Sequence, residues 1–282
     1  MRFSIFPAYG ALNSAPVFLA FRRGAEKLGH TVVEHDFSAD VFVIWSVLWH
    51  GRMTKNQEVW KIAKSTGKKI LILEIGGLSR GSLWKIGLGH INANGFFGNK
   101  TNIDFTRSKK LGIFLKEWKK TGDHILICGQ HTKSEQWSTR PQPEVWLKNL
   151  VSEVKKHSKR KIVFRPHPRD YVWSQKMENL GISIEVPQQV LGTYDDFNHQ
   201  DSFSNAWCVI NPCSNTGILA AIEGIPVFCD QDSLAYPVSN KDLQKIENPS
   251  YPERTMWLEE ICHVEWSLEE IEEGTPILRI FD

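Results

Sequence analysis

Short apolar runs rich in β-branched and aromatic residues alternate along this chain with segments of helical pattern. The runs predict buried strands at Arg2–Phe6, Thr31–Glu34, Val41–Trp45, Lys69–Glu74, His124–Cys128, Lys161–Arg165, Ile182–Val186, Ala206–Ile210 and Pro226–Cys229. Helices are predicted at Ala15–Leu28, Lys55–Lys64, Lys109–Lys119, Pro143–His157, Tyr171–Asn179 and Gly217–Glu223. Strands apolar on both faces, alternating with helices, indicate a parallel sheet covered by helices. The pattern restarts at Asp123 after a basic, irregular middle stretch. The fold class read from this is α/β, with two Rossmann-like domains, 1–118 and 119–262, facing a cleft. A closing helix over Val264–Gly274 falls in a tail, 263–282. Ligands of open α/β sheets bind beyond the carboxyl ends of the strands, so the informative residues should follow strands.

Composition narrows the class further. With 282 residues, 41% hydrophobic and 23% charged, the chain is neither disordered, collagen-like nor a disulfide-dense module. No apolar run reaches the roughly 18 residues that a membrane span needs. The start, MRFSIFPAYG, lacks the apolar region of a signal peptide. Five cysteines without a CxxC pair read as reduced, mostly buried thiols, and the expected location is the cytoplasm.

Net charge is only +2, but it is segregated. Lys100, Arg107, Lys109, Lys110, Lys116, Lys119 and Lys120 crowd the middle stretch, and Lys155, Lys156, Lys159, Arg160 and Lys161 form a second block. Acidic residues gather near the C-terminus. Such blocks can form a footprint for a phosphate backbone, or simply solvated helix faces.

Two motifs carry chemistry. The strand Lys161–Arg165 runs into Arg165-Pro166-His167-Pro168-Arg169, a stiff turn with one imidazole and two guanidiniums, suited to a diphosphate. About fifty residues on, the strand Ala206–Ile210 enters Asn211-Pro212-Cys213-Ser214-Asn215-Thr216-Gly217 and then a small-residue helix ending at Glu223-Gly224. Hydroxyls and backbone N–H groups at that helix start can hold a phosphate, or Ser214 can merely cap the helix.

RPHP followed by SNTGxxxxxxEGIPVF resembles the nucleotide-binding half of GT-B glycosyltransferases, closest to the capsule-polysaccharide and sialyltransferase-like families. The resemblance implies that His167, Ser214 and Thr216 contact the donor's phosphates without a metal. Arg165, Arg169, Asn215 and Glu223 join them as donor-binding candidates. Many GT-B enzymes place a glutamate four residues before this glycine; here that position is Ala220. The order VFVIW, LEIGGLSRGSLWKIGLGHINANG, HILICGQ, FRPHPRD, SNTGILAAIEGIPVF and VEWSLEEIEEG also resembles phage and prophage glycosyltransferase-like proteins that decorate modified DNA bases. This implies a nucleotide sugar such as UDP-glucose as co-substrate, no cofactor, and double-stranded DNA with a hydroxymethylated base as partner. The setting would be the cytoplasm of an infected bacterium. Lys100, Arg107, Lys109, Lys110, Lys119 and Lys120 are the corresponding DNA-binding candidates.

Glu74 ends a predicted strand before Ile75-Gly76-Gly77, where a desolvated carboxylate can be tuned toward a general base. It loosely resembles the base of the phage DNA β-glucosyltransferase. Asp36, Asp40 and His90 are the other catalytic candidates, and Trp45, Trp49 and Trp84 lie near strand ends where a ring can stack on a base or sugar. Asp230-Gln231-Asp232 is formally a DxD metal motif, but following a strand in this context it reads as chance. The function expected is transfer of a sugar to a 5-hydroxymethylpyrimidine, foremost 5-hydroxymethylcytosine, in DNA. The alternatives are transfer to a capsular polysaccharide and a catalytically silent DNA-binding module.

Overall fold

The computed structural model describes residues 1–193 and 196–282, and the chain divides into two compact units. The first comprises Met1–Leu111, Lys133–Glu135 and Glu259–Asp282; the second comprises Gly112–Thr132 and Gln136–Leu258. Each is an α/β unit built on a mostly or wholly parallel sheet, the class that the alternating pattern predicts.

In the first unit the chain runs β1 (Arg2–Ile5), α1 (Ala15–Lys27), β2 (Thr31–Glu34), β3 (Val41–Trp45), α2 (Asn56–Thr66), β4 (Lys69–Ile75), β5 (Trp84–Leu88) and α3 (Arg107–Lys110). The second unit contributes β6 (His124–Cys128), α4 (Pro143–His157), β7 (Lys161–Arg165), β8 (Ser183–Ile184), α5 (Gln200–Ser204), β9 (Ala206–Asn211), α6 (Asn215–Ile222) and β10 (Val227–Cys229). The chain then passes through α7 (Thr255–Cys262) to β11 (Glu265–Trp266), α8 (Leu268–Glu272) and α9 (Thr275–Phe281).

The first sheet has the order β11-β5-β4-β3-β1-β2, with β1 to β4 parallel, β5 antiparallel to β4 and β11 antiparallel to β5. Successive residues of β3 and β4 point to opposite faces and are apolar on both. Val41, Val43, Trp45, Leu71 and Leu73 pack with Phe18 and Phe21 of α1 on one face; Phe42, Ile44, Ile70 and Ile72 pack with Val59 and Trp60 of α2 on the other. The second sheet, β10-β9-β6-β7-β8, is parallel throughout, with β6 at its centre. Ile125, Ile127, Phe164, Cys208 and Ile210 meet Leu147, Val151 and Val154 of α4.

Several predicted elements are corrected. The helix expected over Lys109–Lys119 stops at Lys110, because Gly112 takes a left-handed φ of 68°. Tyr171–Asn179 forms 3₁₀ turns over Val172–Leu180. The closing helix is preceded by β11, and Ser267 with Glu270 forms a capping box that starts α8 only at Leu268. β11 extends the first sheet, so the closing segment belongs to the first unit's architecture. Among the described residues no helix is long and apolar enough to cross a membrane.

Candidate functional site

In the second unit β9, β6 and β7 lie side by side and parallel, so their carboxyl ends bring three turns together: Pro212–Ser214, Gly129–Thr132 and Pro166–Asp170. The β6 turn knits the other two. Asp170 Oδ2 accepts from the Thr132 N–H at 2.7 Å and from its hydroxyl at 2.6 Å, and lies 3.4 Å from His131 Nδ1. The rings of His131 and His167 are 5.0 Å apart. On the other flank Cys213 Sγ donates to Gln130 Oε1 at 3.3 Å. The Arg169 N–H donates to His167 Nδ1 at 3.2 Å, so a neutral His167 ring carries its proton on Nε2. His131 is buried; His167 is partly exposed.

The start of α6 completes this edge. Ser214 occupies the N-cap with extended backbone, yet its side chain makes no capping bond to the helix. Instead its hydroxyl and carbonyl accept from Asn211 Nδ2 at 3.2 and 3.1 Å. Asn211 is buried, and its Oδ1 has no hydrogen-bond partner among the described residues. A Cβ at Gly217 would stand 2.5 Å from that oxygen, so only glycine lets α6 settle onto Asn211. The capping alternative for Ser214 is therefore set aside. The partial positive charge of a helix N-terminus and an oriented hydroxyl face the same strand-end edge as the histidines.

Two donor-side assignments change, those of Arg165 and Glu223. Arg165 is buried, with Nη1 on Glu185 at 3.1 Å and on Ser202 at 2.6 Å, and Nη2 on the Asn198 carbonyl. Its guanidinium is spent inside the unit and cannot reach a ligand. Glu223 caps the far end of α6, about 12 Å of helix from Ser214, and pairs with Lys116. Asp230 and Asp232 both bind Arg140, at 3.0 and 2.7 Å. The pattern reading singled out Arg169, Asn215 and Thr216, which do flank this edge, but missed His131, Asp170, Asn211 and Arg140. The signal for His131 was present in Cys128-Gly129-Gln130-His131, which follows a strand as the other motifs do.

In the first unit Glu74 lies near the end of β4, partly buried. Its Oε2 accepts from Ser46 Oγ at 2.5 Å and its Oε1 from the Ile75 N–H at 2.8 Å. Burial pushes its carboxyl above the ordinary range; Ser46, Ile75, Arg80 and Lys85 oppose that push. Ser46 has φ of 63°, a left-handed conformation that costs a non-glycine residue on the order of 1 kcal/mol. That conformation turns its hydroxyl onto Glu74.

The rival base candidates fare differently. Asp36 is held by Ser38 and by Arg2 at 2.6 Å, which keep its carboxyl below the ordinary range, so it is a poor base. Asp40 accepts from the Arg2 N–H at 2.8 Å. His90 Nδ1 accepts from the Ile91 and Asn92 N–H groups, a structural role. Trp45 and Trp84 are buried in the core, and Trp49 Nε1 donates to Glu135.

The basic middle stretch is largely neutralised within its own unit. Lys100 pairs with Glu260 and Lys110 with Asp104, both at 2.6 Å. Arg107 is buried against the Trp266 ring and bonds the Cys262 and Glu265 carbonyls and both Glu270 oxygens. In the second unit Lys119 donates to the Phe203 carbonyl, and Lys120 lies 5.9 Å from the Tyr251 ring. Arg107 is thus a structural residue and not a phosphate contact. Arg107→Ala should lower unfolding free energy by about 2 kcal/mol, the range of a buried charge-assisted bond, leaving donor affinity unchanged. Urea denaturation and calorimetry check both halves; a drop in donor affinity without a drop in stability would contradict the assignment.

No family model matches the chain, and no curated protein matches it. Among solved structures it is similar to two of KpsC from Thermosulfurimonas dismutans. The beta Kdo 2,7 transferase aligns at TM-score 0.55 and 16% identity, covering 99% of each chain. The beta Kdo 2,4 transferase aligns at 0.54 and 12%, covering 94% of this chain and 90% of that one. The fold is shared with these transferases. At such identities the likeness extends to the fold alone. An alpha-glucosyltransferase in complex with UDP and a 13-mer DNA aligns at only 0.34 and 10% identity, over 100% and 96% of the two chains, too low to bear on this protein.

Proposed function

We propose that this protein is a metal-independent glycosyltransferase using a nucleotide-activated sugar. The observation that carries the reading is the convergence of His131, His167 and the α6 N-terminus at the ends of adjacent parallel strands. There the diphosphate of a nucleotide sugar would accept hydrogen bonds from His167 Nε2–H and the Ser214 and Thr216 hydroxyls and be favoured by the helix dipole. Arg169 supplies further positive charge, and a metal is not called for. Glu74 takes the acceptor's proton.

The acceptor we favour is the hydroxyl of a 5-hydroxymethylpyrimidine, foremost 5-hydroxymethylcytosine, in duplex DNA, with the base flipped out. Support comes from the phage-like sequence order; the second basic block, at the amino end of β7 and so on the edge of its sheet opposite the donor turns, would contact the backbone away from the chemistry. Lys155, Lys159, Arg160 and Lys161 line an open groove of about 550 Å³ with Ser158 and Gly181–Ser183. A flanking groove adds Lys156 and His157, and Glu153 and Glu247 are the acids that contact these bases. Arg160 is fixed by Glu247 at 3.0 Å and stacks 4.1 Å from the Trp207 ring. A footprint of this kind reads phosphate and not sequence.

The fold likeness to KpsC over nearly all of both chains favours a second reading, transfer to a capsular polysaccharide. Incubating nucleotide sugars with hydroxymethylated duplexes, unmodified duplexes and polysaccharide acceptors separates the two, with mass spectrometry as readout. Lys159→Glu with Lys161→Glu should weaken duplex binding at low salt at least tenfold and reduce the salt slope by about 2. Absence of duplex binding by the unaltered protein would leave the polysaccharide reading.

A further inference from the structure

The register of the first sheet puts three charged residues in one row. Glu74 of β4 lies directly opposite Lys85 of β5, and Lys85 lies directly opposite Glu265 of β11. Both pairings are antiparallel, so opposite residues share a face, with Cβ atoms about 4.5–5.5 Å apart. The neighbours confirm the face: Trp84 and Ile86, on either side of Lys85, enter the α1-side core, so Lys85 points the other way. Lys85 and Glu265 are 3% and 1% exposed, and Lys85 Nζ stands 3.9 Å from Glu265 Oε1.

Glu265 does more than neutralise Lys85. Its Oε1 accepts the Gly77 N–H at 2.7 Å and its Oε2 the Leu78 N–H at 2.9 Å. The Gly76 N–H meanwhile bonds the Leu83 carbonyl at 2.9 Å. Three consecutive amides of the loop that leaves Glu74 are therefore pinned. A Cβ at Gly76 would sit 2.5 Å from Glu265 Oε2 and 2.4 Å from the Leu83 carbonyl, so glycine is required for the carboxylate to seat. Without those amides Glu265 would be a buried charge with one distant partner, a costly arrangement. With them it is satisfied, and it anchors the ammonium beside Glu74.

We propose that Lys85 and Glu265 are positioning residues that set how readily Glu74 accepts a proton. The proposal rests on Glu74 as the general base. The groups bearing on Glu74 are the Ser46 hydroxyl from the end of β3, Arg80 from the following loop, Lys85 from β5 and, beyond it, Glu265 from β11. Lys85 favours the carboxylate over the acid. Glu265 shares the charge of Lys85 and so moderates its pull, besides being itself a like charge to Glu74.

The two variants therefore act in opposite directions. Lys85→Met removes the cation and should raise the titration midpoint of Glu74, since a neighbouring opposite charge favours the carboxylate. Lys85→Arg should restore most of it. Glu265→Gln should lower the midpoint, because it deletes a like charge and the carboxylate that draws on the charge of Lys85. The midpoint is read by carbon-13 NMR of side-chain carboxyl-labelled glutamate, with Glu74→Gln assigning the signal, and circular dichroism verifies folding. A role in packing alone predicts no opposed shifts. Unchanged midpoints, or shifts of the same sign, overturn the proposal; if Lys85→Met fails to fold, Glu265→Gln decides, and a midpoint that is not lowered overturns it. Turnover against pH is measured in parallel. Opposed NMR shifts that the acid limb of kcat does not follow would leave the row standing and remove Glu74 as the base.

Discussion

Glu74→Gln is expected to lower kcat by a factor of about 10²–10⁴, the usual contribution of a positioned general base, with donor affinity nearly unchanged. A primary hydroxyl is a weak nucleophile at neutral pH. As its oxygen bonds to the anomeric carbon and the bond to the nucleoside diphosphate breaks, its proton must pass to an acceptor. Glutamine preserves the local bonds, since its carbonyl can accept from the Ile75 N–H and its amide can donate to Ser46, but it cannot accept that proton. Stability supplies a second readout. The Glu74 carboxyl is raised by burial from an ordinary value of 4.5, so the folded state holds the proton more tightly than the unfolded one. Its contribution to stability is complete below about pH 4.5 and is lost as pH rises toward the folded value. Glu74→Gln removes that loss and should melt higher at neutral pH while turning over more slowly. Near-normal turnover would instead indicate a front-face mechanism in which the leaving phosphate takes the proton.

What the sequence pattern reveals about this fold follows from burial on two faces. β3, β4, β6 and β9 are apolar runs because both sides of each strand are covered, and they are legible as such. β5 was missed because Lys85 and Gly87 interrupt its apolar run; Lys85 pairs there with Glu265, nearly two hundred residues away. Pairings of that kind leave no local trace. The same limit explains Arg107, which reads as one member of a basic stretch and becomes structural only through Cys262, Glu265 and Glu270. Arg165 illustrates the alternation rule: it ends a strand as the motif suggests, yet its side chain turns onto Glu185 and Ser202. Glu74, His167 and Ser214 were legible because each lies at or just past a strand end, where polar residues interrupt an otherwise apolar rhythm. The partner of Glu74, Ser46, comes from a neighbouring turn that only the fold brings near, whereas Asn211 stands three residues before Ser214 at the end of β9.

His167→Ala is expected to weaken binding of the nucleotide sugar by about 1–3 kcal/mol, the span of a charge-assisted or buried hydrogen bond. Its effect on kcat/KM should be larger, about a hundredfold, because negative charge grows on the leaving diphosphate as the sugar departs. The tautomer matters here. With Nδ1 accepting from the Arg169 N–H, a neutral ring carries its proton on Nε2 and can donate from there. The adjacent His131 is tied through Nδ1 to Asp170, which the Thr132 N–H and hydroxyl hold in place. Asp170→Asn should therefore weaken donor binding less than His167→Ala does, through loss of orientation and not of a direct contact. If His131 and His167 both engage the diphosphate, their double variant will lose less than the two single losses combined, since groups that grip one ligand together fail together. Calorimetric titration of the unaltered protein, the three single variants and the double variant with nucleotide sugar and with free nucleoside diphosphate measures this directly. Unchanged affinity in His167→Ala would remove the histidine from the donor site and leave the α6 N-terminus as the anion's principal anchor in this unit.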